Sequence, residues 1–149
     1  MSTNFFLRAT QSALRRPLIR PAQFTTTTLR QFHATKPNMV VHNIQTKEAF
    51  TQAINEQKAI VLDCFATWCG PCKAIAPLLL KHSNDEKYKD VHFVKIDVDE
   101  LSELSQELGV TAMPSFMLFK NGDPVPVEKV VGANPKALEA MLTKAVELL

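Results

Sequence analysis

Two cysteines with two residues between them, in Trp68-Cys69-Gly70-Pro71-Cys72-Lys73, close an apolar run and open a segment of helical character. A Cys-x-x-Cys in a strand–helix unit suits dithiol–disulfide exchange. The first turn of a helix has unpaired backbone N–H groups and the positive end of the dipole, which together stabilise a thiolate and lower a cysteine pKa. Cys69 is therefore the expected nucleophile, exposed and substantially ionised. Cys72, one turn further and deeper, is placed to resolve a mixed disulfide. Two other uses of the pair fit less well. Structural zinc generally takes four ligands, whereas the chain has three cysteines, and His82 lies on the same helix with nine residues between it and Cys72. An inert disulfide across one helical turn closes almost no loop and would stabilise little.

Other residues near the pair stand out by their surroundings. Asp63 interrupts an apolar strand six residues before Cys69; burying a carboxylate without a partner is costly and raises its pKa. Lys95 is set among Val94, Ile96 and Val98, as a buried tuning charge or as a surface lysine near a strand end. Pro114 follows Met113 at the start of a strand, a poor position for a trans proline in a covered sheet. Cys64, next to Asp63, points to the other side of its strand and reads as a small buried hydrophobe; a regulatory second disulfide is the sharper alternative.

The elements that must position these residues alternate in type. Val40–Ile44 reads as a short strand. Thr46 is a plausible N-cap for Lys47–Gln57, where Phe50, Ala53 and Ile54 recur at helical spacing. Ala59–Phe65 reads as a strand covered on both faces. A helix from Cys69 to His82 contains Pro77, which should kink it. Val91–Val98 is a further buried strand, and Leu101–Leu108 a helix closed by Gly109. Ser115–Lys120 and Val125–Val131 are strands joined through Asn121-Gly122, a strong hairpin signal. Pro124 and Pro126 share one parity, so both missing N–H groups can face the open side of an edge strand. Asn134 or Pro135 starts a last helix with Leu138, Met141, Leu142 and Ala145 inward. The order βαβαβα then ββα predicts an α/β domain, a central mixed sheet with helices on both faces.

Charge is distributed unevenly. Residues 1–37 carry six basic side chains (Arg8, Arg15, Arg16, Arg20, Arg30 and Lys36) and no Asp or Glu, while the remainder has 11 basic against 15 acidic side chains, a net −4. A mildly acidic domain without a basic stripe argues against nucleic acid as the main partner. No apolar run approaches the roughly 18 residues of a membrane span, which argues against membrane insertion. Wound as a helix, residues 4–16 gather Phe6, Leu7, Ala9, Ala13 and Leu14 on one arc, with Arg8, Ser12, Arg15 and Arg16 opposite and Phe5 off the arc. Pro17 ends that helix. An Arg-rich, acid-free, amphipathic segment is the pattern of a mitochondrial targeting peptide, and its arginines interrupt the apolar block of about 7–15 residues that a secretory signal needs. The stretch Arg30-Gln31-Phe32-His33-Ala34-Thr35 resembles matrix-peptidase recognition, with a mature chain starting at His33, or at Val40 after octapeptide removal. A basic tail on a cytosolic protein, or translation from Met39, is the alternative.

With these residues in hand, the chain resembles the thioredoxin family. The run Asp63-Cys64-Phe65-Ala66-Thr67-Trp68-Cys69-Gly70-Pro71-Cys72-Lys73 carries the resemblance, together with Lys95-Ile96-Asp97, Met113-Pro114, Phe119-Lys120-Asn121-Gly122 and Val131-Gly132-Ala133. These motifs occur in family order across residues 40–149. Cys64 is a departure, since many relatives have an aromatic residue there. The resemblance implies a five-stranded mixed sheet flanked by about four helices and a redox disulfide between Cys69 and Cys72. It makes Asp63 the base that takes the proton from Cys72 and Lys95 the residue that tunes Asp63. It implies a cis bond before Pro114 and a shallow docking surface for disulfide proteins made by Trp68, Gly70, Pro71, Ala112, Met113, Pro114, Gly132 and Ala133.

The same family sets expectations for direction and partners. Oxidase and isomerase relatives usually carry a His between the cysteines, whose charge stabilises the thiolate and makes the protein more oxidising. Known potentials of thioredoxin and protein disulfide isomerase differ by roughly 90 mV, about 4 kcal/mol for a two-electron couple. Gly70-Pro71 lacks that His, so a reductant is expected, with an oxidase or isomerase, or a non-catalytic binding module, as rivals. The implied protein is a monomer in the mitochondrial matrix with no bound cofactor or metal. Its electrons come from NADPH through thioredoxin reductase and pass to oxidised clients such as peroxiredoxins or methionine sulfoxide reductases.

Overall fold

A computed structural model describes residues 41–149. The segment 1–37, its processing sites and Val40 lie outside the described residues. Five strands and four helices come in the order β1 (His42–Asn43), α1 (Lys47–Glu56), β2 (Ala59–Phe65), α2 (Gly70–Ser83), β3 (His92–Asp97), α3 (Ser102–Glu107), β4 (Ser115–Lys120), β5 (Glu128–Val131) and α4 (Pro135–Glu147). The strands form one sheet in the order β1-β3-β2-β4-β5. β1, β3 and β2 run parallel, and β4 and β5 are antiparallel to their neighbours. The mixed sheet expected from the sequence is therefore present.

Local chemistry sets the helix starts. Thr46 Oγ1 accepts the Ala49 N–H at 3.1 Å, and Asn134 Oδ1 accepts the Ala137 N–H at 3.2 Å ahead of Pro135 in the first turn. Each side chain satisfies a backbone donor that the helix itself leaves free. α2 continues through Pro77. Asn121 and Gly122 both have positive φ, at 51° and 81°, in a tight turn closed by the Asp123 N–H on the Lys120 carbonyl at 3.0 Å.

The alternation of β2 builds two cores. Ile60, Leu62 and Cys64 pack with Phe50 and Ile54 of α1 and Leu104 of α3. Val61 packs on the other face with Ile75 and Leu79 of α2 and with Leu138, Met141 and Leu142 of α4. Full burial of such side chains stabilises by about 1.5–3 kcal/mol each. Every residue from Ala59 to Cys64 is buried, so β2 is a rigid base for the cysteine turn at its C-terminal end.

Several boundaries differ from the sequence expectation. β5 starts at Glu128 rather than Val125, and Pro124 and Pro126 lie before the strand instead of on its open edge. Neither proline has an N–H to offer, and Asp123 Oδ1 takes the Val125 N–H at 2.9 Å, a local turn that competes with pairing. The Val127 N–H does reach across, to the Leu118 carbonyl at 2.8 Å. β3 is shorter than Val91–Val98 by a residue at each end, and a short 3-10 turn, Glu86–Tyr88, precedes it without a matching sequence expectation. That turn buries Tyr88 in the α2–α4 core.

Candidate active site

The chain leaves β2 at Phe65 and enters α2 five residues later, which sets both cysteines at the helix opening. Cys69 is the N-cap of α2, and Cys72 lies within its first turn. They form a disulfide with an S–S distance of 2.07 Å and Cα atoms 5.3 Å apart. Cys69 Sγ also accepts the Cys72 backbone N–H at 3.2 Å. That donor is one of the free amides at the helix start, and it points at the sulfur that must hold negative charge after reduction.

The expected difference in depth between the two cysteines is absent from this oxidised form. Cys69 is 4% exposed and Cys72 5% exposed. Both pack with Ala66, Phe65, Val98 and Met113. Cys69 is thus covered rather than exposed as the sequence suggests, because the same small apolar cluster packs over both sulfurs.

Asp63 lies on the face of β2 that α2 and α4 cover, with Cys64 on the opposite one. It is buried, and its Oδ1 has no hydrogen-bond partner. Burial raises its pKa to about 7, against the opposing pull of the Lys95 ammonium. Lys95 is its register partner on β3. This lysine is half-buried in the middle of its strand, with Nζ 5.1 Å from the centre of the Phe65 ring. A cavity of about 180 Å3 is lined by Asp63 and Lys95 from the sheet and by Cys72, Lys73 and Ala76 from α2. The structure thus brings Asp63, Lys95 and Cys72 to one space.

The residues expected to form a docking surface occupy three segments. Trp68 is 66% exposed, which excludes a core-packing role. Its indole N–H donates to Asp99 Oδ2 at 2.8 Å. The sequence gives no sign of Asp99, because nothing local marks a partner 31 residues away. Gly70 and Pro71 are exposed at the opening of α2. The Met113–Pro114 peptide bond is cis, as the resemblance implies. The Pro114 carbonyl accepts the Gly132 N–H at 2.8 Å, and the Ala112 carbonyl accepts from Ser115 Oγ at 2.7 Å. Gly132 has φ +90°, a conformation that disfavours any side chain. Ala112 and Ala133 are exposed and Met113 half-buried, so the loop before β4 and the turn after β5 form adjoining walls.

Cys64 is free and fully buried, paired in register with Ile96 and Ser115. Burial, with the charge of Asp63 second, pushes its thiol up to about 12. Among the described residues, no three His, Cys, Asp or Glu side chains gather into a group that could hold a metal ion. Likewise none of the described helices is long and apolar enough to cross a membrane.

A vicinal pair of this kind carries two electrons as two thiols and surrenders them by closing one disulfide. Fold and site together define a dithiol–disulfide oxidoreductase. The chain belongs to the thioredoxin family, whose sequence model matches residues 41–144. It is 45% identical over 117 residues to Thioredoxin-2 of Pyricularia oryzae, covering 78% of this chain and 66% of that relative. It is 50% identical over 103 residues to Thioredoxin-1 of Schizosaccharomyces pombe, covering 69% of this chain and 96% of the relative. Among solved structures it resembles oxidised mitochondrial thioredoxin 3 from Saccharomyces cerevisiae, with TM-score 0.64 and 41% identity over 70% of this chain and 94% of the other. A chain from a study of thiol resolution in yeast mitochondrial 1-Cys peroxiredoxin through glutathione and thioredoxin systems matches with TM-score 0.65 and 39% identity, covering 72% and 97%.

Proposed function

We propose that this chain is a protein-disulfide reductase of the mitochondrial matrix, made with a presequence over residues 1–37 and acting through a domain over 40–149. The observation that carries the chemistry is the shared cavity of Asp63 and Cys72 beside a disulfide at a helix N-terminus. In the reduced protein the Cys69 thiolate attacks one sulfur of a client disulfide, and the client's other sulfur leaves as a thiolate. Asp63 then accepts the Cys72 proton, and the Cys72 sulfur attacks Cys69 Sγ. The second client thiolate departs, and the Cys69–Cys72 disulfide holds the oxidising equivalents. Thioredoxin reductase, supplied by NADPH, returns the pair to dithiol.

Reduction rather than oxidation is the direction favoured by Gly70-Pro71, which places no cation between the cysteines. The targeting assignment is supported by the acid-free, basic composition of residues 1–37 and by the likeness to a mitochondrial thioredoxin. Peroxiredoxins are the clients favoured by the second structural likeness, with methionine sulfoxide reductases suggested by the family. Trp68, Gly70, Pro71, Ala112, Met113, Pro114, Gly132 and Ala133 form the client surface.

Insulin reduction with dithiothreitol tests the activity. Catalysed precipitation of the insulin B chain is expected, with a potential in the thioredoxin range. A potential near that of protein disulfide isomerase would assign oxidation or isomerisation instead, and no catalysis would leave a binding module. Intact mass of the native protein tests the address: retention of Met1 overturns import.

A further inference from the structure

Lys129 lies in β5, three residues before Gly132. The alternation of β5 sends Glu128 and Val130 toward α4, where Glu128 Oε2 meets Lys144 Nζ at 2.7 Å and Val130 joins the core of that face. Lys129 projects from the other face, and its ammonium donates to the Gly109 carbonyl. Gly109 closes α3 with φ +63°, and the adjoining Val110 N–H bonds back to the Ser105 carbonyl at 2.9 Å.

Gly109 leads directly into residues 110–114, the loop that carries Ala112, Met113 and the cis proline. The downstream end of this loop is tied to the segment after β5 by the Gly132 N–H on the Pro114 carbonyl, at 2.8 Å. Its upstream end is tied to the same strand by Lys129. Between these two ties Thr111 and Ala112 are exposed. β5 and the residue that follows it therefore hold the two ends of one proposed docking wall and lead directly into the other.

We propose that Lys129 is a positioning residue for client docking: its ammonium pins Gly109 to β5 and sets the spacing between the Ala112–Pro114 loop and the Gly132–Ala133 turn. The inference rests on the reading of that surface as the client site. The Lys129 ammonium is bonded at Gly109, so it acts through the loop and not on the electron transfer. Without the ammonium the upstream end keeps the Val110 N–H on the Ser105 carbonyl but loses its tie to β5, and a client must restore the spacing of the two walls when it binds.

The test compares Lys129→Met, which keeps an unbranched stem without the charge, with Lys129→Arg, which restores a cation. Lys129→Met is expected to raise KM for insulin about three- to tenfold, the range of one ordinary exposed hydrogen bond, with kcat changed less than about twofold. Lys129→Arg returns KM toward the parent value. Amide hydrogen exchange at residues 110–113 quickens in the Met variant and not in the Arg variant. An unchanged KM, unchanged exchange, or a rise that arginine does not correct overturns the proposal. A parallel loss of kcat and thermal stability overturns it too, since that marks general damage. If the parent protein fails to reduce insulin, the functional reading is what falls, and exchange alone then decides whether Lys129 clamps the loop.

Discussion

Asp63 and Cys72 line one cavity of about 180 Å3 although they stand on different elements, one in the middle of β2 and the other in the first turn of α2. In the proposed mechanism, space beside a buried acid gives the Cys72 proton somewhere to go when that thiol attacks. An acid whose pKa is raised to about 7 is also matched to that task, since it accepts a proton near neutral pH and returns it readily.

Asp63 should therefore make stability depend on pH. Its folded pKa of about 7 lies above the unfolded value near 3.8. Between those values the folded chain holds more protons at this site, so stability falls as pH rises and levels off once Asp63 has ionised. Asp63→Asn removes that slope. Urea unfolding should find the variant more stable than the parent by about 2–4 kcal/mol at pH 8 and much closer to it at pH 4.5. Equal pH slopes for the two proteins would contradict the buried, raised carboxyl.

The same substitution should slow resolution. In the parent, release of client from the mixed disulfide should quicken as pH rises through about 7, where Asp63 becomes the base. Asp63→Asn should lose that inflection and resolve about 100-fold more slowly at neutral pH, the lower limit for a removed general base. Stopped-flow fluorescence of Trp68 against pH provides the measurement, because Trp68 is the one tryptophan and adjoins Cys69.

Lys95 offers a second handle on the same group. Its ammonium lowers the Asp63 pKa against the larger effect of burial. Lys95→Met removes the charge and retains a stem against Phe65. The inflection in resolution should move to higher pH than in the parent, with Lys95→Arg largely restoring it. A variant whose inflection stays in place would separate Lys95 from the site.

Alkylation should distinguish the cysteines. Reduced native protein treated with iodoacetamide at pH 8 should label Cys69 rapidly. Cys64, pushed up to about 12, is thiolate in only about one molecule in 10,000 at that pH, quite apart from its burial. It should react in urea alone, and mass spectrometry of peptic peptides reads the result. Fast native labelling of Cys64 would revive a regulatory role for it.

Clients can be captured with Cys72→Ser, which leaves Cys69 able to attack and the mixed disulfide unable to resolve. Disulfide-linked adducts should accumulate and disappear with dithiothreitol. The Cys69→Ser variant should form far fewer. Peroxiredoxin peptides among the adducts would support the proposed clients.

Local patterns are legible wherever one physical rule governs them. The apolar run of Ala59–Phe65, the Thr46 and Asn134 caps and the turn at Asn121-Gly122 each depend on a few adjacent residues, and each is found in the structure. Apolar alternation alone overextends β5, because the absent N–H groups of Pro124 and Pro126 count for more than the pattern of side chains. Asp99 and Lys129 leave no mark in the sequence, since their partners, Trp68 and Gly109, are remote along the chain.

The amino-acid sequence by itself determined the reactive pair, its place at a strand-to-helix junction and the anomaly of an acid within an apolar strand. Helix-end electrostatics and the burial cost of charge act over a few residues, so spacing alone reveals them. Tertiary structure decided which side chains share a space: that Asp63, Lys95 and Cys72 open on one cavity, that Cys69 and Cys72 are equally covered when joined, and that Lys129 of β5 and Gly132 just after it hold the two ends of the Gly109–Pro114 loop. Those relations arise from strand register and from helix packing across the sheet, which bring together residues the chain itself keeps far apart.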